Sequence, residues 1–263
     1  MNSTALALVV VGALFHATWN LFAKRSSGGA AFVWLYGVVS LLLLAPLGLY
    51  VWYSGDRSIG GQAWIAIAIS ALAHLAYSLT LQKGYQVSDF SVVYPLARGT
   101  GPLFTVFAAT VLLGETPTLV GWLGIALILG GILLISDAWK GLSSSTDRVK
   151  SGVLWGAVTG CTIAAYTIVD AWAVKTLGMA PVVYYALGLL LRTGMLAPKV
   201  LGDLPSLREQ WSRHRGHILA VGALSPLAYI LVLFAMQSAP LVYVAPAREL
   251  SMMLGVVFGA VLL

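Results

Sequence analysis

Nine apolar segments of spanning length follow one another along this chain of 263 residues. A helix needs about 20 mostly apolar residues to cross a bilayer, where every backbone polar group must be bonded within the segment. Charged residues make up only 9% of the chain and hydrophobic residues 59%, whereas soluble domains contain roughly 25% charged residues. The sequence therefore predicts an all-α, multi-pass integral membrane protein.

The predicted spans are connected by short segments that cannot hold a soluble domain. The nine helices are expected at residues 5–23, 31–52, 63–86, 90–113, 118–136, 152–174, 179–200, 216–239 and 240–263. The two longest connections, residues 137–151 and 201–215, are predicted to be linkers. Lys24 and Arg25 follow the first apolar run, whereas a signal peptide carries its basic residues before it, so the first helix is predicted to be a retained span.

An Ala-Arg pair within an apolar segment occurs twice, at Arg98 and at Arg248, with an offset of 150 positions. At this offset two stripes of small residues at four-residue spacing coincide: Ala97, Gly101, Thr105 and Ala109 with Ala247, Ser251, Gly255 and Gly259. Such stripes let helix backbones approach closely in lipid. We therefore expect an internal duplication, with repeats at 1–139 and 140–263, in which helices four and nine cross near the centre through these stripes.

The predicted repeats differ in their number of spans. The first contains five and the second four, so the offset predicts a tenth helix after residue 263. An odd number of helices per repeat places the two repeats in opposite orientations in the membrane. This inverted arrangement is typical of secondary transporters, whose substrate site lies near the bilayer midplane between the repeats.

Four motifs in the first half carry a family resemblance: TWNLFAK from residue 18, VVYPL from 92, LLGE from 112 and GWLGIALILGGILLI from 121. With them the chain resembles the EamA-type members of the drug/metabolite transporter superfamily. The resemblance implies ten helices in two inverted five-helix repeats, and a central cavity lined by helices one, three, four, six, eight and nine. It also implies export of amino acids or other small metabolites, with choline-like and sugar-nucleotide-type substrates in related branches.

Polar side chains inside the spans indicate where function lies, because each is costly in lipid unless it is paired or hydrated. His16 and Asn20 correspond at the 150 offset to Tyr166 and Asp170, and each pair is spaced to lie on one helical face. Interhelical hydrogen bonds and simple buried ion pairs are the alternative interpretations. The predicted substrate-binding residues are His16, Trp19, Asn20, Tyr77, Tyr94, Arg98, Tyr166, Asp170, Tyr229, Arg248 and Glu249.

An arginine and an acid around a wet cavity would bind a zwitterion, the guanidinium taking the carboxylate and the acid the ammonium. Glu249 or Asp170 is expected to pair with Arg98 or Arg192. Backbone near four prolines is expected to be disturbed, at Pro95, Pro102, Pro226 and Pro246. The candidates for proton coupling are His74, Asp170 and Glu249. Alanine at Arg98 or at Asp170 is expected to abolish flux with folding intact.

The sequence therefore predicts a secondary transporter that moves an amino acid or related zwitterion by alternating access. An alternative is a carrier of choline-like, other cationic or phosphonate metabolites that uses an aromatic cage, although such residues are also typical of the interfacial belt. The cage candidates are Trp19, Trp34, Tyr36, Trp155, Tyr166, Trp172, Tyr184 and Tyr185. The chain contains no enzyme or metal-binding motif, so neither catalysis nor a cofactor nor a metal is expected. A membrane-embedded enzyme or a non-transporting scaffold is the alternative from another class.

The formal charge of +6 arises from basic residues spread over short loops, which does not indicate a nucleic-acid partner. The expected partners are a small-molecule substrate, lipid and protons, in a monomer or weak homodimer of the inner membrane. Loops after helices one, three, five and seven carry ten of the 15 basic residues, which predicts that these loops are cytoplasmic and the amino terminus outside. The resemblance implies the opposite, with both termini in the cytoplasm.

Overall fold

The computed structural model describes residues 1–26, 29–55, 58–135 and 146–254, and these residues form an all-helical bundle without strands. A π-helical turn, Trp172–Thr176, follows the sixth helix. The helices are α1 (Ser3–Ser26), α2 (Gly29–Ser54), α3 (Gly61–Val87), α4 (Phe90–Leu112), α5 (Leu119–Ile135), α6 (Asp147–Ala171), α7 (Pro181–Leu201), α8 (Leu204–Ser238) and α9 (Leu241–Ala247). The predicted all-α fold class is thereby confirmed.

The length and surface of the helices fit a membrane. By length and composition, five of the described helices can cross a bilayer: α1, α2, α3, α6 with its π-helical turn, and α8. Large apolar side chains cover the outside of the bundle; Leu42, Phe107 and Leu127 are 69%, 69% and 77% exposed. In water such a surface would be unfavourable, whereas lipid tails solvate it. The protein is therefore a multi-pass membrane bundle.

One predicted linker is wrong, because α8 begins at Leu204 within the segment 201–215. The Asp203 side chain accepts a hydrogen bond from the Ser206 backbone N–H at 3.2 Å, and Pro205 lies in the first turn. A side-chain cap and an early proline both favour a helix start. The helix is kinked at His214, whose φ is −126°. The apolar pattern does not predict this early start of α8, because the first part of the helix is polar. In the other predicted linker, α6 begins at Asp147, and residues 136–145 lie outside the described part.

The small residues of α4 pack mainly against α6. A Cβ atom at Gly156 would lie 2.8 Å from the Leu96 Cβ, and one at Gly101 would lie 2.9 Å from Ile163 Cγ2. Gly101 and Ser251 are buried, as the stripe hypothesis requires. Within the described residues Gly101 is covered by Ile163 of α6, which the stripe hypothesis did not predict. Ser251 contacts α4 through Arg98. Gly255 and Gly259 lie outside the described residues.

The remaining close approaches place α1, α2, α7 and α8 around the bundle centre. A Cβ atom at Gly12 of α1 would lie 3.0 Å from the Ala228 carbonyl of α8, and one at Gly37 of α2 would lie 2.9 Å from Thr193 Oγ1 of α7. These contacts bring the polar faces of four helices towards one interior space.

Two charged contacts join connections at opposite ends of the bundle. Glu115 follows Gly114, whose φ of +66° favours glycine. One Glu115 oxygen bonds Lys175 Nζ at 2.5 Å and the other accepts from the Val242 N–H at 3.0 Å, near the start of α9. At the other end Arg148 bonds the Asp89 carboxylate at 2.7 Å. The α4–α5, α6–α7 and α8–α9 connections therefore lie together, opposite the α3–α4 connection and the start of α6.

Candidate functional site

A cavity of about 130 Å³ lies at the centre of the bundle. Its walls come from α1, α2, α3, α4, α6, α7 and α8, and from Arg248 just after α9. Seven of the predicted substrate-binding residues and the coupling candidate His74 line it: His16, Trp19, Tyr77, Arg98, Tyr166, Tyr229 and Arg248. The structure thus brings most of the predicted site residues to one place.

The other predicted site residues are not among those that line the cavity. The Asn20 side chain donates to the His16 carbonyl of its own helix at 2.7 Å. Asp170 and Glu249 are buried behind the wall, at 1% and 2% exposure, and Tyr94 is likewise not among the lining residues. These two acids therefore do not reach the cavity as free anchors for an ammonium group.

Helices α2 and α7 supply a wall that the family resemblance did not imply. Trp34 and Tyr36 come from α2, and Tyr185 and Arg192 from α7. The three aromatic residues were cage candidates, but Arg192 was predicted only as an ion-pair partner. Its position in the apolar α7 segment was the signal that could have placed it in the site.

Asp170 is surrounded by hydroxyl groups. Ser70 Oγ and the Tyr184 hydroxyl donate to Oδ1 at 2.5 Å and 2.7 Å, and the Tyr229 hydroxyl donates to Oδ2 at 2.5 Å. His74 Nε2 lies 3.4 Å from Oδ2. Three donors satisfy the acceptor atoms of this buried carboxylate. The predicted pairing of Asp170 with an arginine is therefore wrong.

His74 lies between Asp170 and the cavity. Its ring stacks on Tyr166, with centroids 3.9 Å apart and planes 16° apart, and meets Tyr229 edge-on at 5.5 Å. The imidazole therefore contacts both the buried carboxylate and the aromatic wall, which is the position that a proton relay would need.

Arg98 pairs with Glu249, which is one of the pairings that the sequence suggested. Arg98 Nε lies 2.8 Å from Glu249 Oε2, and the two side chains are 5% and 2% exposed. A second guanidinium nitrogen of Arg98 donates to Ser251 Oγ at 3.2 Å. This contact neutralises both charges and links α4 to the segment after α9.

The helix that begins at Leu241 is interrupted by a turn at Arg248 and Glu249. Helix α9 ends at Ala247, just after Pro246, and residues 250–254 are helical again. Proline removes a backbone donor and disturbs the preceding turn of a helix. The predicted disturbance is present near Pro246, whereas the helices continue through Pro95, Pro102 and Pro226, where the prediction is wrong. Arg248 follows Pro246 by two residues and lines the cavity.

Arg192 and Arg248 have aromatic partners instead of acidic ones. Arg192 donates to the Tyr185 hydroxyl at 2.9 Å, and Arg248 donates to the Tyr166 hydroxyl at 3.4 Å. Their guanidinium carbons lie 5.1 Å from the Tyr185 ring centre and 5.4 Å from that of Tyr229. In the described part of the chain, neither guanidinium has a carboxylate at ion-pair distance.

The described residues contain no cluster of three or more histidine, cysteine or acidic side chains that could hold a metal ion. A membrane-spanning helical bundle around a polar, arginine-containing cavity is an arrangement found in membrane transporters. The chain belongs to the EamA-like transporter family, whose model matches residues 3–137. It is accordingly a multi-pass protein of the cell inner membrane.

Two relatives are similar over parts of their sequences. The chain is 33% identical over 78 residues to an uncharacterized transporter in the cobO 3′ region of Sinorhizobium sp, which is 30% of this chain and 55% of that protein. It therefore spans about half the length of that relative. It is 30% identical over 105 residues to the spermidine export protein MdtI of Shigella flexneri, which is 40% of this chain and 91% of MdtI.

A protein of known crystal structure has the same fold. The TM-score is 0.72 at 17% sequence identity, and the match covers 98% of this chain and 89% of the other. The arrangement of helices along nearly the whole chain is therefore one that another protein also adopts.

Proposed function

We propose that this protein is a secondary transporter that moves a small polar metabolite, with an amino acid or related zwitterion as the first candidate, through the central cavity by alternating access. The observation that carries the proposal is that residues related by the 150 offset meet at one cavity. His16 and Tyr166 line it together, as do Arg98 and Arg248. Export is the direction that the family resemblance favours.

This meeting of equivalent residues supports two inverted repeats, at 1–139 and 140–263. In transporters built this way, substrate binds near the midplane between the repeats. The match to MdtI also favours a duplication, because 105 residues already cover 91% of that protein, which makes it less than half as long as this chain. A unit of about one repeat is thus found as a protein of its own.

The lining residues suggest a division of roles. The guanidinium of Arg248 binds the carboxylate of the substrate, and the rings of Tyr166, Tyr229 and Trp19 face its other end. The Asp170 carboxylate, which accepts from the Tyr229 hydroxyl, holds Tyr229 in position. We propose His74 and Asp170 as the proton-coupling pair, because their contact at 3.4 Å connects the cavity to a buried acid.

A cationic substrate is the second candidate, because MdtI is named as a spermidine exporter and aromatic rings are abundant in the wall. The residues that line the cavity include no carboxylate, however. Polyamine recognition needs acidic groups, so we rank this candidate below a carboxylate-bearing substrate. We propose no catalytic role for His74 and Asp170, and a membrane-embedded enzyme ranks last.

The test is substrate flux in proteoliposomes. The purified protein is reconstituted, and accumulation of labelled amino acids and of labelled spermidine is followed with and without a pH gradient. We expect amino-acid accumulation that depends on the gradient, is lost in Arg248→Gln and persists in Arg208→Gln, which changes an exposed arginine of α8. Accumulation of spermidine alone would favour the cationic candidate, and flux equal to that of empty liposomes for every substrate would refute transport of either class.

A further inference from the structure

We infer that Arg192 and Arg248 form an anion-binding site in the wall of the central cavity, so that the substrate is recognised as an anion through a carboxylate or phosphonate group. The inference rests on the proposed function, since it concerns the same cavity. It goes further, because it states which charge the site selects and which residues select it.

The balance of charge around the cavity is positive. Three guanidiniums line it, those of Arg98, Arg192 and Arg248. Glu249 neutralises Arg98 at 2.8 Å, and Asp170 accepts from three hydroxyls. Hydroxyl donors stabilise the Asp170 carboxylate without neutralising it, so three guanidiniums and two carboxylates leave one net positive charge around the cavity. In the described chain neither Arg192 nor Arg248 has a carboxylate at ion-pair distance. An uncompensated charge inside a membrane protein is costly, and such residues typically mark a substrate or ion site.

Hydrogen-bond donors are also in excess. The indole N–H groups of Trp19 and Trp34 belong to lining residues, are buried, and have no acceptor within the described part of the chain. A buried donor without a partner costs about 1–3 kcal/mol. The Tyr185 hydroxyl accepts from Arg192 and still has its own hydrogen to donate. A group with several oxygen acceptors would satisfy these donors, whereas an ammonium group would add more.

The aromatic wall links the two arginines. The Tyr185 and Tyr229 rings lie 5.7 Å apart, centre to centre. Arg192 stacks on the first ring and Arg248 on the second. These contacts restrain two long side chains that would otherwise lose conformational freedom on binding. Carboxylate and phosphonate oxygens suit the planar fork of a guanidinium, which binds them in a bidentate manner.

The test is a thermal-shift titration of the full-length protein in detergent at constant ionic strength. The probes are propionate, methylphosphonate and ethylamine, of similar size and different charge. We expect the anions to raise the unfolding temperature by about 2–4 °C near saturation, and ethylamine to leave it unchanged. A response to propionate alone assigns a carboxylate, a response to methylphosphonate alone assigns a phosphonate, and a response to both assigns a site that accepts either.

Three variants connect this response to the site. Arg192→Gln and Arg248→Gln should abolish the anion shift, whereas the matched control Arg208→Gln should keep it. Trp34→Phe keeps a ring but removes the indole N–H, so we expect anion affinity to fall about fivefold to tenfold. If the arginine variants do not fold, the comparison of propionate with ethylamine on the wild-type protein and on Trp34→Phe decides alone.

Three results would overturn the inference. They are a rise in unfolding temperature with ethylamine, no rise that is specific to the anions, and a rise with the anions that persists in both Arg192→Gln and Arg248→Gln. The flux assay separates this failure from that of the proposed function. Amino-acid flux without an anion response would leave the transport proposal intact and remove the anion site. An anion response without flux of any substrate would keep the anion site and remove the transport proposal.

Discussion

Arg98 of α4 and Glu249, two residues after α9, form an ion pair with Nε and Oε2 at 2.8 Å in the buried interior of the bundle. The contact joins the two halves of the chain that the sequence predicts to be repeats. Each charge is neutralised by the other, and Ser251 satisfies a further guanidinium hydrogen. The pair therefore acts first as a structural bond, and the prediction that both residues bind substrate stays a prediction.

Breaking this pair should destabilise the protein. Arg98→Ala leaves Glu249 buried without its partner, which costs about 3–5 kcal/mol. We expect a clear fall in the unfolding temperature in detergent, contrary to the expectation from the sequence that folding stays intact. The double variant Arg98→Leu with Glu249→Leu should recover most of the loss, because neither charge is then left alone. Equal stability of Arg98→Ala and wild type would contradict the pairing.

Arg192→Leu should not destabilise the protein, in contrast to Arg98→Ala. Arg192 has no carboxylate at ion-pair distance in the described chain, and its removal leaves two guanidiniums, Arg98 and Arg248, against the two buried carboxylates near the cavity. We expect the unfolding temperature of the substrate-free protein to stay equal or rise, while flux falls by at least about tenfold, which corresponds to one lost charged hydrogen bond. Measuring stability and flux on the same preparation checks both parts, and a large loss of stability would show that Arg192 is structural.

Asp170→Asn should reduce both stability and flux. An amide has one oxygen acceptor where the carboxylate has two, so one of the hydroxyls of Ser70, Tyr184 and Tyr229 loses its acceptor. The expected cost is about 1–3 kcal/mol. Asp147→Asn is the control, because Asp147 is fully exposed at the start of α6. Thermal unfolding of the two variants side by side tests the prediction. Equal unfolding temperatures would show that the hydroxyl groups around Asp170 do not contribute to stability.

The α4–α6 contact gives a test of packing. Gly156→Ala places a methyl group 2.8 Å from the Leu96 Cβ and 3.1 Å from the Val93 carbonyl oxygen, so the helices must separate. Overpacking of this kind costs about 1–3 kcal/mol. At Gly124 of α5 the added Cβ meets nothing within 4 Å, and alanine is the better helix former there. We expect thermal unfolding to show a loss at Gly156 and none at Gly124.

Orientation in the membrane is predicted from the loop charges, which place the start of α6 in the cytoplasm. In a Cys161→Ser background, we expect a cysteine at Ser58 to react with a membrane-impermeant thiol reagent in intact cells. A cysteine at Asp147 should be protected, because Ser58 follows the second span and Asp147 follows the fifth, which places the two positions on opposite sides of the membrane. Labelling at Asp147 with none at Ser58 would show that the arrangement implied by the family resemblance holds and the charge rule fails.

Helix positions followed closely from the sequence because a membrane span has a fixed length and must be apolar. The first part of α8 did not, since a polar helix beside the membrane lacks this signal, and only the cap at Asp203 indicates it. The polar residues inside the predicted spans indicated Arg98 and Arg248 as site residues, whereas Arg192 was expected only as an ion-pair partner. Whether Arg192 lines the cavity depends on how α7 packs against α2 at Gly37, and an apolar pattern does not specify this packing.

The partners of the buried acids were the least predictable part of the site. Glu249 and Asp170 are both acids inside predicted spans, and the sequence suggested that one or the other pairs with Arg98 or Arg192. The structure gives Glu249 an arginine and Asp170 three hydroxyls. Serine and tyrosine are common in membrane helices, so Ser70 and Tyr184 carried no sign that they would meet one carboxylate. Such a meeting is a property of tertiary packing.

Glu115 binds Lys175 with one oxygen and the Val242 N–H with the other. A single carboxylate therefore links the α4–α5, α6–α7 and α8–α9 connections at one end of the bundle. A rearrangement that opens the cavity towards that end must either break both bonds together or carry the three connections as one rigid piece. In the first case Glu115 sets part of the energy barrier for opening. In the second case the three connections move together with Glu115, and the backbone must bend elsewhere, for example at the interruption after Pro246.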